Sequence, residues 1–282
     1  MIASAPQDRN VTLTPNATVL TIAGSDPSGG AGLQADLKSF QQLGCYGMSA
    51  VTLLTVQNTQ GVERVELMPA DLVKSQVTAA TNDIMPRVIK TGALGSAEII
   101  EIVAEQLSEL NLPLVVDPVL ISKHGHRLAD DDCLTAYIEQ LFPLTTVLTP
   151  NRYETQQIVG RELNSLQDYA DASAEIQNLG PTFVLVKAGK VDEQQHHLVA
   201  SPAGVTGIMV PTLRTENTHG AGCVLSASIA AHLALTLQEE VEVEIVNEAI
   251  RRAINAVHHA IEFNPELGQG TGPVETRVIH LG

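Results

Sequence analysis

Short β-branched runs alternate with segments of helical period along most of the chain, and that alternation restricts the fold more than any other feature. Val19 to Ala23, Ala50 to Val56, Val88 to Thr91, Leu114 to Val116, Thr146 to Leu148 and Phe183 to Val186 read as strands. Between them, Leu33 to Leu43, Ala70 to Thr81, Ala97 to Leu110, Asp130 to Leu141 and Leu166 to Leu179 carry apolar residues at helical spacing. Strands that are apolar on both faces need helices over both faces. The expectation is therefore a three-layer α/β/α sandwich around a mostly parallel sheet. From His196 to Leu213 two short runs flank a Gly-containing turn, which adds an antiparallel edge. Helices at Cys223 to Leu237 and Val241 to Ile261 follow. With 282 residues and no linker, 19–282 reads as a single domain and 1–18 as a loose tail.

Charge and cysteine usage narrow the function classes. Lys+Arg 16 against Asp+Glu 32 gives a net charge of −16, which disfavours a broad nucleic-acid surface or an anionic membrane as partner. Any phosphate must be held by local means. Cys45, Cys133 and Cys223 are distant, odd in number and without a CxxC pair, so a reducing cytoplasm fits better than a disulfide framework or a thiolate zinc site. The N-terminus has no basic stretch followed by an apolar run, and so does not read as a secretory signal. The most apolar segment, Val224 to Leu237, is too short to span a bilayer and runs into Gln238-Glu239-Glu240.

Polar residues stand just after each apolar run: Gly24-Ser25-Asp26, Gln57-Asn58, Thr91-Gly92, Asp117, Thr149-Pro150-Asn151 and Lys187. In open parallel sheets ligands bind beyond the carboxyl ends of the strands, so these residues are expected to meet in one cleft. Loops are polar anyway, which accounts for Thr149 better than for a lone Asp117 or Lys187. The stretch Thr218 to Ser226, THGAGCVLS, runs from a glycine-bracketed turn into a helix. Free amides at Gly220, Ala221 and Gly222 with the helix dipole behind them form an anion cradle, unless the turn is an ordinary cap. Cys223 sits at that helix start, where the dipole is expected to lower its thiol pKa. The loop Gly24 to Gly32 is not a Walker A loop, since Gly30-Ala31 replaces the Lys and Ser/Thr. No GxGxxG fingerprint exists for a nicotinamide dehydrogenase either. Asp36 falls at the edge of the apolar stripe Leu33, Leu37, Phe40, a costly place unless a donor meets it. That donor is either a ligand N–H at the mouth of the loop or an internal salt-bridge partner.

An anion cradle, a lysine and carboxylates suited to hydrated Mg2+ together describe phosphoryl transfer to a small molecule, where positioning and charge stabilisation supply most of the catalysis. On that reading Asp117 and Glu154 hold Mg2+ through water, and Lys187 balances nucleotide phosphate. Cys223 accepts the proton of the acceptor hydroxyl or orients that hydroxyl. A snorkelling lysine and a helix-start carboxylate are the plainer readings of Lys187 and Glu154.

The pieces TIAGSDPSGGAGLQADLKSF, VQNTQGV, VVDPV, LTPNRYE, VLVKAG, THGAGC and GTGPV occur in the order of a known family. From about Val19 to Val274 the chain resembles the hydroxymethylpyrimidine/phosphomethylpyrimidine kinases of thiamine biosynthesis, within the ribokinase-like superfamily. The resemblance implies ATP and Mg2+ as cofactors and two successive phosphorylations of a small pyrimidine. It places the pyrimidine at Gly24, Asp36, Thr55 and Gln57, with Gln57 as ring partner. The nucleotide and metal fall at Asp117, Asn151, Glu154 and Lys187. The anion hole falls at Gly220, Ala221 and Gly222, and Cys223 stands where many ribokinase relatives carry a catalytic aspartate. A homodimer is the expected assembly.

The chain departs from that family where Ala93 stands in place of a pocket methionine, which enlarges one wall. SKHGHRL replaces the usual loop, and Gln269 and Thr271 replace frequent histidines. Neither His124 nor His126 reads as ligand or base. A pyridoxal or pyridoxine kinase of the same superfamily is the neighbouring alternative, and a catalytically silent pyrimidine-binding protein the alternative of a different class.

Overall fold

A computed structural model describes residues 17–121, 132–237 and 241–281. The readings made for the N-terminal tail, His124 and His126, the start of the helix at Asp130 and Gln238 to Glu240 lie outside the described residues. Among the described residues, nine strands form a single sheet in the order β3-β2-β1-β4-β5-β6-β7-β8-β9. The parallel centre consists of β2 (Tyr46–Asn58), β1 (Thr18–Ser25), β4 (Val88–Thr91), β5 (Leu114–Val116), β6 (Val147–Leu148) and β7 (Phe183–Val191). The hairpin β8 (Gln194–Ser201) and β9 (Gly204–Pro211) continues it antiparallel, as the sequence implies. The opposite edge also ends antiparallel, in β3 (Gly61–Leu67), which sequence reasoning missed. Gln57 and Asn58 read as a strand end. Instead, β2 pairs with β1 only as far as Leu54 and then runs on, paired with β3 alone. That overhang carries Thr55 and Gln57 past the edge of the parallel sheet.

Alternation along the central strands sorts their side chains into two cores. Leu20, Ile22, Ile89, Leu114, Val116, Leu148, Val184 and Val186 belong to one. It is covered by α2 (Ala70–Asp83), α3 (Ala97–Leu110) and α6 (Leu166–Gln177). Val19, Val88, Val115, Val147, Phe183 and Leu185 face the other, under α1 (Gly32–Gln42), α7 (Ala221–Thr236) and α8 (Val243–Glu262). Helix α7 is apolar on nearly every side, as a helix enclosed by protein must be. Two local readings change. The helix expected over Asp130 to Leu141 is a short α4 (Cys133–Ala136) that loosens into a π turn and stops at a 3-10 turn containing Pro143. A helix outside the expected periodic segments, α5 (Arg152–Val159), opens on a capping box in which Asn151 and Glu154 satisfy each other's backbone amides, in line with the helix-start reading of Glu154.

Parity also explains the fate of Asp36. Thr21 and Lys90 are register partners on β1 and β4, on the face turned toward α1. Thr21 donates to Asp36 Oδ2 at 2.6 Å and Lys90 Nζ does so at 2.8 Å, with both charged side chains 0% exposed. Asp36 therefore meets an internal cation, the salt-bridge alternative for this carboxylate, while its Oδ1 has no partner among the described residues. Removing one member of a buried pair strands the other charge. Lys90→Met is expected to cost about 3–5 kcal/mol in urea unfolding, and Lys90→Met with Asp36→Leu to recover at least half of it. A single-variant loss below about 1 kcal/mol contradicts this account of the pair.

Candidate active site

A cavity of about 400 Å³ opens where the carboxyl ends of β1, β4, β5 and β6 meet β7 and the start of α7. Gly24, Thr55 and Gln57 line it on one side, and Asp117, Asn151, Glu154 and Lys187 on the other. Gly220, Ala221, Gly222 and Cys223 form its floor between them. Of the described residues expected there, Asp36 does not line it, and neither do the strand-end residues Asn58, Thr91, Thr149 and Pro150.

The floor is a helix start. Ala221 N–H turns back to Thr218 O at 3.2 Å, and Val224 N–H bonds Gly220 O at 2.9 Å. The amides of Gly222 and Cys223 find no backbone acceptor among the described residues, the usual condition of a first helical turn. Gly220 caps the helix at φ +81°, and a Cβ there would come within 1.8 Å of Gly30 O. Only glycine fits so close a crossing in that conformation. The first loop thus rests directly on the cradle, and Gly32 N–H reaches Cys223 Sγ at 3.4 Å.

Side-chain roles differ from one predicted residue to the next. Gln57 is half-buried with its amide uncommitted among the described residues, whereas Thr55 donates to Ser25 O at 2.9 Å and fastens β2 to the first loop. Asn151 spends its carbonyl on the α5 cap. Lys187 lies inside β7 at a strand irregularity rather than at a strand end. Its Nζ is 3.1 Å from Asp117 Oδ1, which Thr149 also contacts at 3.1 Å. A Cβ on Gly222 would stand 3.5 Å from both Asp117 Oδ2 and Lys187 Nζ, so this charged pair borders the cradle.

Lys90 and His219 also line the cavity and were not singled out, and Asp26, one of the strand-end residues expected in the cleft, lines it with them. A lysine inside the apolar run at 88–91, set beside an aspartate on an apolar stripe, was a legible signal for the Lys90–Asp36 pair. Asp26 and His219, 2.8 Å apart, are distant in sequence and carried no such signal.

The phosphomethylpyrimidine kinase family matches residues 26–275. The chain belongs to that family. The hydroxymethylpyrimidine/phosphomethylpyrimidine kinase of Synechococcus elongatus is 39% identical over 266 residues, covering 90% of this chain and 95% of its own. Among solved structures, Bacillus subtilis pyridoxal kinase in an ADP complex superposes with a TM-score of 0.84 at 34% identity, covering 94% of this chain and 99% of that one. The Clostridium difficile phosphomethylpyrimidine kinase gives 0.72 at 38% identity, covering 86% and 99%. These neighbours bear out the mostly parallel, ribokinase-like fold and make the chain a member of a family of kinases.

Electrostatics of this phosphomethylpyrimidine kinase family member follow from burial. Burial pushes the Cys223 thiol up to about 11, with Lys90 pulling the other way, so the lowered value expected from the helix start is not found. Burial opposes the Lys187 charge, yet Asp117 and Glu154 hold it above the usual lysine range. Burial raises Glu154 from 4.5 to about 7 against the pull of Lys187. A carboxyl that keeps its proton longer when folded binds more protons in the native state, so its contribution to stability falls as pH rises through that window. Relative to Glu154→Gln, the native chain is expected to lose on the order of 3 kcal/mol between about pH 4.5 and about pH 7. Urea unfolding of both across that range checks it, and parallel profiles contradict it.

Proposed function

We propose that this chain transfers the terminal phosphoryl group of ATP to the hydroxymethyl group of 4-amino-5-hydroxymethyl-2-methylpyrimidine, and then phosphorylates the monophosphate. The observation that carries the reading is the sharing of one cavity by Gln57, the Gly220 to Gly222 cradle and Cys223. Gln57 offers a donor and an acceptor to the edge of a pyrimidine ring. The Gly222 and Cys223 amides, with the positive end of α7 behind them, are suited to the charge that builds on transferring phosphate oxygens. The ADP complex of the Bacillus pyridoxal kinase supports ATP as donor.

Cys223 enters this reaction as a neutral thiol, given its raised pKa. It orients the acceptor hydroxyl; as the new P–O bond forms, the bond from phosphorus to the ADP oxygen breaks and the hydroxyl proton passes to an oxygen of the transferred phosphate, in keeping with a loose transition state. Lys187 contributes fixed positive charge beside the cradle, set by its pairing with Asp117. The donors present fit Mg2+. Asp117 Oδ2 borders the open face of Gly222, where a Cβ would lie 3.5 Å away, and the buried Glu154 carboxyl gains from a cation. Two carboxylates and retained water suit this ion. When bound, Mg2+ supplies neutralisation of phosphate charge. The absence of a disulfide pattern supports a cytoplasmic setting, and the family resemblance a homodimer.

Pyridoxal is the second acceptor to weigh, because Ala93 leaves the pocket wall small and the Bacillus pyridoxal kinase superposes at a TM-score of 0.84. Turnover with ATP and each acceptor in parallel separates the two. Faster turnover of the aminopyrimidine is expected, and faster turnover of pyridoxal rejects the first choice. Cys223→Ala is expected to lower kcat about 100-fold or more while the pyrimidine KM moves less than about threefold. Gln57→Ala is expected to raise that KM about tenfold or more, through the lost ring contact. Unchanged kcat in the first variant removes Cys223 from the chemistry, and unchanged KM in the second removes Gln57 from the ring site.

A further inference from the structure

The residues that hold the acceptor side and those that hold the phosphate side come from opposite ends of the chain. The backbone crossing of Gly30 and Gly220 sets how close they come, but a van der Waals contact resists only compression. Something must also resist separation. The first loop is shaped from within by Asp26, whose carboxylate accepts from Ser28 N–H at 2.8 Å, Ser28 Oγ at 2.9 Å and Ala31 N–H at 2.9 Å. The fourth partner of that carboxylate is His219, with Nε2 2.8 Å from Oδ2 and both side chains almost wholly buried. His219 directly precedes Gly220. Its own backbone is held twice, its N–H by Gly272 O at 3.0 Å and its carbonyl by Val274 N–H at 3.1 Å. The imidazole therefore bridges a rigid cradle to a loop that Asp26 has already ordered.

We propose that His219 and Asp26 are positioning residues that lock the acceptor loop to the anion cradle and so set the line of attack on the phosphoryl group. Neither touches the reacting atoms in this scheme. Hydrogen bonding from Nε2–H to the Asp26 carboxylate is charge-assisted and buried, the kind worth most in holding two segments at fixed distance. Misplacement of reacting groups by about 1 Å costs on the order of 100-fold in rate, so a latch of this kind acts on kcat more than on KM.

The test compares His219→Leu, which removes the donor, with His219→Gln, whose amide reaches a similar position. Two readouts are needed because the kinetic one rests on the kinase reading given above. The first is the rate of Cys223 alkylation by iodoacetamide in the native protein, resolved by peptide mass spectrometry, which needs no substrate. His219→Leu is expected to alkylate about tenfold faster than wild type, because Gly32 no longer sits on the thiol, and His219→Gln to recover most of that protection. The second is steady-state turnover with ATP and the hydroxymethylpyrimidine. His219→Leu is expected to lose about 100-fold in kcat with KM values within about threefold, and His219→Gln to regain at least about tenfold. Equal alkylation rates in wild type and His219→Leu overturn the latch, as does a His219→Gln variant as exposed as His219→Leu. A wild type without turnover sinks the kinase reading, while the alkylation result still decides the latch.

Discussion

The carbonyl of Gly30 passes so close to Gly220 that a single methyl group on the latter would lie 1.8 Å from it. This contact joins the loop after β1 to the start of α7, two segments separated by most of the chain. A parallel sheet brings them to the same edge, but topology alone fixes neither their spacing nor their orientation. Glycine at the crossing sets the spacing. Gly32 N–H on Cys223 Sγ then ties the loop after β1 to the first turn of α7. The overhang of β2 completes the enclosure by carrying Gln57 to the opposite wall.

Charge is distributed by the same economy of position. The chain carries a net charge of −16, yet the two lysines that line the cavity are each paired with an aspartate, Lys90 with Asp36 and Lys187 with Asp117. Buried pairs of this kind contribute little net stability compared with apolar replacements, so their value lies in holding charge at defined places. Burial outweighs the pull of Lys187 on the Glu154 carboxyl, and its raised pKa follows. A site arranged in this way carries little excess charge while empty, and gains most from a ligand that brings both phosphate and a cation.

The fold was legible in the sequence because its strands are buried on both faces and its helices keep a clear period. What escaped had weaker local signals. Strand β3 follows a two-residue turn inside what read as a polar strand end, and pairing, not apolarity, makes it a strand. Helix α5 is short, although Asn151 and Glu154 at capping-box spacing with Gly160 at the far end announced it. The cavity residues were found from strand ends and from the family's motifs. Asp36 was flagged for the cost of a carboxylate on an apolar stripe, and Lys90 is the internal partner that offsets it. Cys223 went the other way because a helix start lowers a thiol pKa only where burial does not outweigh it. The Asp26–His219 pair could not be read from one sequence, since nothing local links the two positions.

The account stands on an acceptor alcohol facing a terminal phosphate held by main-chain amides. A crystal structure with a non-hydrolysable ATP analogue and the hydroxymethylpyrimidine bound together tests this most directly. The terminal phosphate is expected on the amides of Gly222 and Cys223, the ring on Gln57, and the hydroxymethyl oxygen between Cys223 Sγ and phosphorus. A pyrimidine bound away from Gln57, or a phosphate chain that leaves those amides to water, contradicts it.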